Sequence, residues 1–121
     1  MLRVRFLRKR VQPGIPGPER GSAAILVGFT VQGHAGFAEH GQDIVCAGVS
    51  ALTQGALLGL QDVLGDRVSF RKQPGYLEVN VGLEDAREIA PRTILRTLEL
   101  GLLSIAKAYP GHIDVAYQDI H

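Results

Sequence analysis

Tryptophan is absent from this chain, methionine and cysteine each occur once, and aromatic residues make up only 6% of it. With so few large rings, any core must be built from Val, Ile, Leu and Ala, and a hydrophobic fraction of 45% is enough for one. One cysteine excludes an intrachain disulfide framework and any cysteine-rich zinc site. A lone thiol suits a reducing compartment, so the expected location is the cytoplasm. Charge of one sign is not in excess: 13 Lys and Arg stand against 12 Asp and Glu, and a formal net charge of +1 gives no whole-chain attraction to polyanions. No uninterrupted run of about 18 apolar residues occurs, so a membrane partner is not expected. The opening Met1-Leu2-Arg3-Val4-Arg5 lacks the apolar stretch of a secretory signal. The four histidines show no paired helical spacing for zinc, and no phosphate-cradling glycine loop precedes a lysine, so neither metal nor cofactor is expected.

What is present reads as one domain over residues 1–121. Residues 2–7 alternate apolar (Leu2, Val4, Phe6) and basic (Arg3, Arg5), the period of a strand with one buried face. Residues 11–22 are rich in Gly and Pro and read as a flexible connector. Ala24 to Val31 is apolar and β-branched, a second strand. Residues 33–43 hold Gly33, Gly36 and Gly41 and read as an irregular surface loop. Asp43 suits the N-cap of a helix over 44–64, whose apolar positions Val45, Val49, Leu52, Ala56, Leu60 and Val63 recur at helical spacing. Gly48, Gly55 and Gly59 share a stripe of that helix with Ala51. Each costs about 1 kcal/mol relative to alanine, so close approach of another backbone, within the monomer or across a dimer interface, is the expected compensation. Val68–Arg71 and Tyr76–Val81 read as strands joined at Gln73-Pro74-Gly75. A second helix starts between Asp85 and Pro91 and runs to Tyr109, and a last strand covers 113–117. The order ββαββαβ, with strands in hairpins, points to an α+β, two-layer domain with a mixed or antiparallel sheet.

The chemistry concentrates in one stretch. Cys46 follows Gly33-His34 by twelve residues and falls, on this reading, in the first turn of a helix. Unpaired amides and the positive end of the helix dipole there favour a thiolate, the reactive form. His34, on a loop that Gly36 and Gly41 allow to reverse sharply, is placed to draw the thiol proton and return it to a leaving amine. The Cys46 amide and its helical neighbours are candidate oxyanion donors. Asp43 is available to orient the histidine, although capping competes for its carboxylate, and Ser50 lies one turn after Cys46 on the same face. His40 is a rival base, nearer in sequence. His112 and His121 look incidental. On spacing alone, a buried hydrophobic cysteine and a surface histidine are the commoner case, with the catalytic pair as the alternative.

At these residues the chain resembles the ribosomal-processing cysteine protease family, Prp. The tripeptide Gly33-His34-Ala35 and the segment Asp43-Ile44-Val45-Cys46-Ala47, with Ser50, match the family signature in residue type and spacing. A looser likeness extends through Leu100-Gly101-Leu102 and Ile105 to Tyr109, and the resemblance covers the chain from about Ala24 onward. It implies a small homodimeric α+β cysteine endopeptidase of the bacterial cytoplasm. Such enzymes remove the N-terminal extension of a large-subunit ribosomal protein, the one numbered twenty-seven. Carried over by position, Cys46 is the nucleophile and His34 the general base. Asp43 and Ser50 support them, and the loop Gly33 to Gly41 is a mobile cover. The family's substrates imply an apolar groove. The connector 11–22 departs from the family in being longer and richer in proline.

A second class of function stays in view. Arg3, Arg5, Arg8, Lys9 and Arg10 make the first strand basic, as a non-catalytic ribosome- or RNA-binding module requires. A thiol redox sensor is less well served, since no second cysteine can resolve a sulfenic acid within the chain.

Overall fold

The computed structural model describes residues 1–11, 24–33 and 40–120, with backbone alone for 40–43. Most of the proline-rich connector 11–22 therefore lies outside the described residues, as do His34, Gly36 and His121. Five strands and three helices follow in the order β1 (Leu2–Arg10), β2 (Ala24–Gln32), α1 (His40–Leu64), β3 (Val68–Gln73), β4 (Tyr76–Val81), α2 (Leu83–Arg87), α3 (Ile89–Ala108) and β5 (Ile113–Ile120), with a 3-10 turn at Gly65–Arg67. The strands form one mixed sheet in the order β3-β4-β2-β1-β5. Neighbours are antiparallel except β1 and β5, which run parallel from Leu2↔Ile113 to Lys9↔Ile120. This is the expected α+β, two-layer arrangement.

The alternation in β1 and β4 explains the layering. Leu2, Val4, Phe6, Leu77, Val79 and Val81 are buried, whereas Arg3 and Arg5 are exposed and Tyr76, Glu78 and Asn80 are half-buried. The buried face meets Val45, Val49 and Leu60 of α1 and Leu95, Leu98 and Leu102 of α3. Phe6 and Phe29 carry most of the aromatic bulk, both fully buried with ring centroids 6.5 Å apart. The second helical region is two helices, and Pro91 is the reason. A proline has no N–H for the carbonyl four residues back, Arg87, and its ring clashes there, so α2 ends at Arg87 and α3 carries Pro91 in its first turn.

Two expectations are corrected. Helix α1 starts at His40, so residues 40–43 are helical and Asp43 lies inside the first turn instead of capping it. An acidic residue is favourable in either place, so the sequence signal for the two is the same. Within the monomer no backbone approaches the glycine stripe. A methyl group built on Gly48 would meet Ile105 Cδ1 at 3.4 Å and one on Gly59 would meet Ile94 Cδ1 at 3.3 Å, while Gly55 has nothing within 4 Å. Side chains of α3 fill the hollows, and Leu52 returns the contact at 3.0 Å from such a methyl on Gly101. Finally, Ile44–Arg67 is long and apolar enough, with hydropathy 1.5, to cross a membrane on length and composition alone, because scattered Gly, Ser and Thr break a run without lowering the average much. In the fold this helix packs its Val45–Val49–Leu60 side on the sheet.

Candidate active site

Helix α1 carries Cys46, Val49, Ser50, Thr53 and Gln54 at spacings of three and four, which puts them along one side. That side faces the end of the sheet where β1 begins, β2 finishes and β3 turns into β4. Together they enclose a cavity of about 290 Å³. Leu2, Val31, Val49 and Leu77 give its apolar lining, and Lys72 through Tyr76 form its rim. Cys46 is half-buried, with its side chain against the core.

The β3–β4 turn is held in place from two sides. Gly75 has φ 75, the value a Pro-Gly type II turn demands at its second central residue. Its carbonyl accepts the Gly33 N–H at 2.9 Å. On the other side Lys72 Nζ donates to Gln54 Oε1 at 3.0 Å, tying the hairpin to α1. Thr53, only 2% exposed, donates to Val49 O at 2.8 Å, so its burial costs no unmet hydrogen bond. Tyr76 donates to Glu78 Oε1 at 3.0 Å, and Asn80 Nδ2 donates to Glu78 Oε2 at 3.0 Å. The Asn80 and Tyr76 bonds, helped by the Arg71 charge, hold the Glu78 carboxyl below its usual range.

Gly33, the residue before His34 in sequence, is held in one backbone conformation. Its φ of 95 is a conformation side chains rarely adopt, and a methyl group there would lie 2.7 Å from the Met1 carbonyl oxygen. Only glycine satisfies both demands. It also lines the cavity, as Cys46 does. Gly33, Cys46 and Ser50 thus line one cavity. His40, Gly41 and Asp43 lie on the first turn of α1, and His34 and Gly36 fall outside the described residues. His112 precedes β5 and accepts, through its carbonyl, the Leu2 N–H at 3.1 Å.

The earlier helix start changes the electrostatic picture of the thiol. Cys46 lies in the second turn, behind the first-turn amides that lack intrahelical partners. The dipole contribution fades within one turn, so the helix end gives Cys46 less than its expected first-turn position implied, and its own amide is not an oxyanion donor of the terminal kind. Lys72, Pro74, Tyr76 and Gln54 belong to the site and were not expected there. The Pro-Gly signal announces a turn, but nothing local tells that the turn folds over the thiol.

The sequence model of the family "Cysteine protease Prp" matches residues 20–114. The ribosomal processing cysteine protease Prp of Bacillus subtilis (strain 168) is 59% identical over 32 residues, which are 26% of this chain and 29% of that protein. The protein of the same name from Staphylococcus aureus (strain Mu50) is 27% identical over 88 residues, covering 73% of this chain and 83% of the relative. The crystal structure of an essential ribosomal processing protease Prp from S. aureus, in complex with a covalently linked product peptide, superposes with a TM-score of 0.74. It is 23% identical, and the match covers 98% of this chain and 100% of that one, a likeness of fold. A family match over most of the chain, with the thiol of its one cysteine set in a cavity, places this protein in the Prp family of cysteine proteases.

Proposed function

We propose that the chain is a cytoplasmic cysteine endopeptidase that trims the N-terminal extension of a large-subunit ribosomal protein, the one numbered twenty-seven, with Cys46 as nucleophile and His34 as general base. The observation that carries this reading is that Cys46 and Gly33 line the same cavity, and His34 is one peptide unit, about 3.8 Å between Cα atoms, beyond Gly33. His34 takes the Cys46 proton as sulfur attacks the scissile carbonyl. The tetrahedral intermediate collapses with that proton passing to the leaving amine, and water then hydrolyses the thioester with His34 again as base. Ser50 supports from the same cavity, and Asp43 from the first turn of α1. The lining of Leu2, Val31, Val49 and Leu77 suits an apolar or aromatic side chain next to the cut. The relatives' names, ribosomal processing protease, support the substrate class.

The test is cleavage of a peptide with an extension ending in apolar and aromatic residues. Cys46→Ala and His34→Ala are expected to abolish it, and full activity in either variant removes that residue from its role.

A homodimer belongs to the same proposal. Ile44 (62% exposed) and Leu58 (65% exposed) lie two heptads apart on α1, with exposed Ala47, Ala51 and Gly55 between them. That stripe is apolar, at the spacing a second helix packs into. Leu58→Glu is expected to shift the protein to monomer in light scattering. The RNA-binding alternative rests on Arg3 and Arg5, which are exposed, since Arg8 and Arg10 both pair with Asp119, at 3.1 and 3.5 Å.

A further inference from the structure

A larger cavity, of about 510 Å³, opens at the opposite end of the sheet. There Arg8 pairs with Asp119 at 3.1 Å, and Glu99, only 8% exposed, accepts from Arg96 Nη1 at 2.7 Å and from the Tyr117 hydroxyl. That wall meets its polar needs within the chain. The edge of the sheet beside the thiol does not.

Strand β3 ends the sheet in the order β3-β4-β2-β1-β5, so among the described residues no strand lies beyond it. Its turn into β4 fixes which backbone groups are left over. Gln73 and Tyr76 flank the two-residue turn Pro74-Gly75, so they form a hydrogen-bonded pair. Such pairs alternate along an antiparallel ladder, so Arg71 with Glu78 and Ser69 with Asn80 do the same. The N–H and C=O of Phe70 and Lys72 therefore point away from β4, out of the edge of the sheet.

The side chains mark the same edge. Period two puts Phe70 and Lys72 on one face, and Lys72 Nζ donates to Gln54 of α1 at 3.0 Å, so it is the face that α1 covers. Phe70 is nevertheless 47% exposed, the one large apolar residue left open on β3. The edge also leads to the thiol. Lys72 through Leu77 line the cavity that holds Cys46, whereas among the described residues β5, at the other edge, lines none of it. A thiolate reaches a peptide bond only in a backbone held straight on both sides, because a helical carbonyl is already bonded and shielded. An open strand edge that runs to the thiol supplies the partners such a backbone needs. A second copy is the poorer occupant, since β3 laid against β3 sets Arg71 and Lys72 near their own copies, like charge against like.

We propose that β3 is a docking strand: a peptide on its way to Cys46 adds to the free edge in extended form, its backbone bonded to Phe70 and Lys72 and one apolar side chain laid on the Phe70 ring. This pairing rests on the cysteine-protease reading of the thiol cavity and adds the part of the substrate that is recognised away from the cut.

The full chain with Cys46→Ala, which binds without cutting, is saturated with the extended peptide of the cleavage test, and amide hydrogen exchange is followed residue by residue. Exchange at Phe70 and Lys72 is expected to slow by about tenfold or more, while Ser69, Arg71 and Gln73, already bonded to β4, change little. In the parent chain Phe70→Pro deletes one outward N–H and the ring, and leaves the β4 ladder whole. It is expected to lower kcat/KM for the peptide about three- to tenfold, with the rate of Cys46 alkylation by iodoacetamide unchanged. No slowing at Phe70 and Lys72 overturns the docking strand, whether or not the parent chain cuts the peptide, and so does an unchanged kcat/KM in Phe70→Pro. Slowing on β5 instead overturns it as well, as does slowing that needs no peptide and grows with protein concentration, which gives the edge to a second copy. Slowing on β3 in a protein whose parent chain cuts no peptide overturns the protease reading and leaves the strand pairing standing.

Discussion

The two ends of this sheet are built from the same strands and do different physics. At the thiol end, β1 and β2 offer Leu2, Val31 and the backbone of Gly33, and the one ionised residue of the rim, Lys72, is spent on Gln54. At the other end the same two strands offer Arg8 and Leu26, and α3 adds a ladder of arginines. The difference traces to β1, where apolar and basic residues alternate as far as Phe6 and, after Leu7, give way to Arg8-Lys9-Arg10. A peptide side chain is held by area removed from water, so its pocket needs few charges. One strand therefore lines two different cavities by changing its pattern along its length.

The largest way to sharpen that contrast is at the thiol. Cys46→Ala is expected to lower the cleavage rate of an extended peptide by at least about 10³-fold, because covalent catalysis has no substitute nucleophile there. Circular dichroism should show the fold retained, since a half-buried side chain is shortened by a single atom. Cleavage within tenfold of the parent would mean that another group attacks.

Gly33→Ala comes next. The positive φ and the contact with the Met1 carbonyl together should cost about 2–3 kcal/mol of unfolding free energy in urea. Gly111 is the control, with φ 89 but nothing within 4 Å of an added methyl group. Gly111→Ala is expected to cost only about 1 kcal/mol. Equal losses at the two sites would show that β1 moves aside freely, and that the Met1 contact does not hold Gly33.

At the charged end, Glu99→Ala removes the acceptor for both Arg96 and Tyr117. The expected loss is about 1–2 kcal/mol, toward the lower part of the range for buried polar pairs because Arg96 is itself 60% exposed. Glu99→Gln keeps an acceptor and should lose less. The order Ala greater than Gln, read from chemical denaturation, separates a hydrogen-bonding role from simple packing.

The elements of this fold were legible where one period dominated. The 2-residue alternation in β1 and β4 and the 3.6-residue recurrence of Val45, Val49, Ala56 and Leu60 depend on nothing outside the segment, so they identified strands and helix directly. The start of α1 was not legible, because Asp43 satisfies the first turn as well as the cap. Pro91 bounds the start of the second helical region, yet its clash with Arg87, which splits that region in two, shows only when the preceding turn is also helical. At the site, the thiol and Gly33 stood out by type. Lys72, Pro74 and Tyr76 did not, since they reach Cys46 only through the β4–β2 pairing that carries the hairpin to the end of β2. The arginine cavity was invisible for the same reason: Arg8 and Arg96 are 88 residues apart, and Glu99 looks like an ordinary surface glutamate until Tyr117 closes over it.

The smallest expected effect is in alkaline solution and again separates the ends. Burial, then the Glu99 hydrogen bond and charge, raise Tyr117 from 10.0 to about 12, against the opposing pull of Arg8 and Arg96. Below the unfolded value of about 10 both states keep the proton and the full stability is present. Between about 10 and about 12 the unfolded chain releases the proton while the folded one holds it, so stability falls as pH rises through that window. Tyr117 is 37% exposed, so solvent screening reduces the loss well below what the shift alone implies. Tyr117→Phe should flatten that part of the pH–stability curve and remove the component of phenolate absorbance centred near pH 12. If the component lost is instead centred at the ordinary tyrosine value, Tyr117 does not lie against Glu99 in solution, and the wall that aims Arg96 loses its anchor.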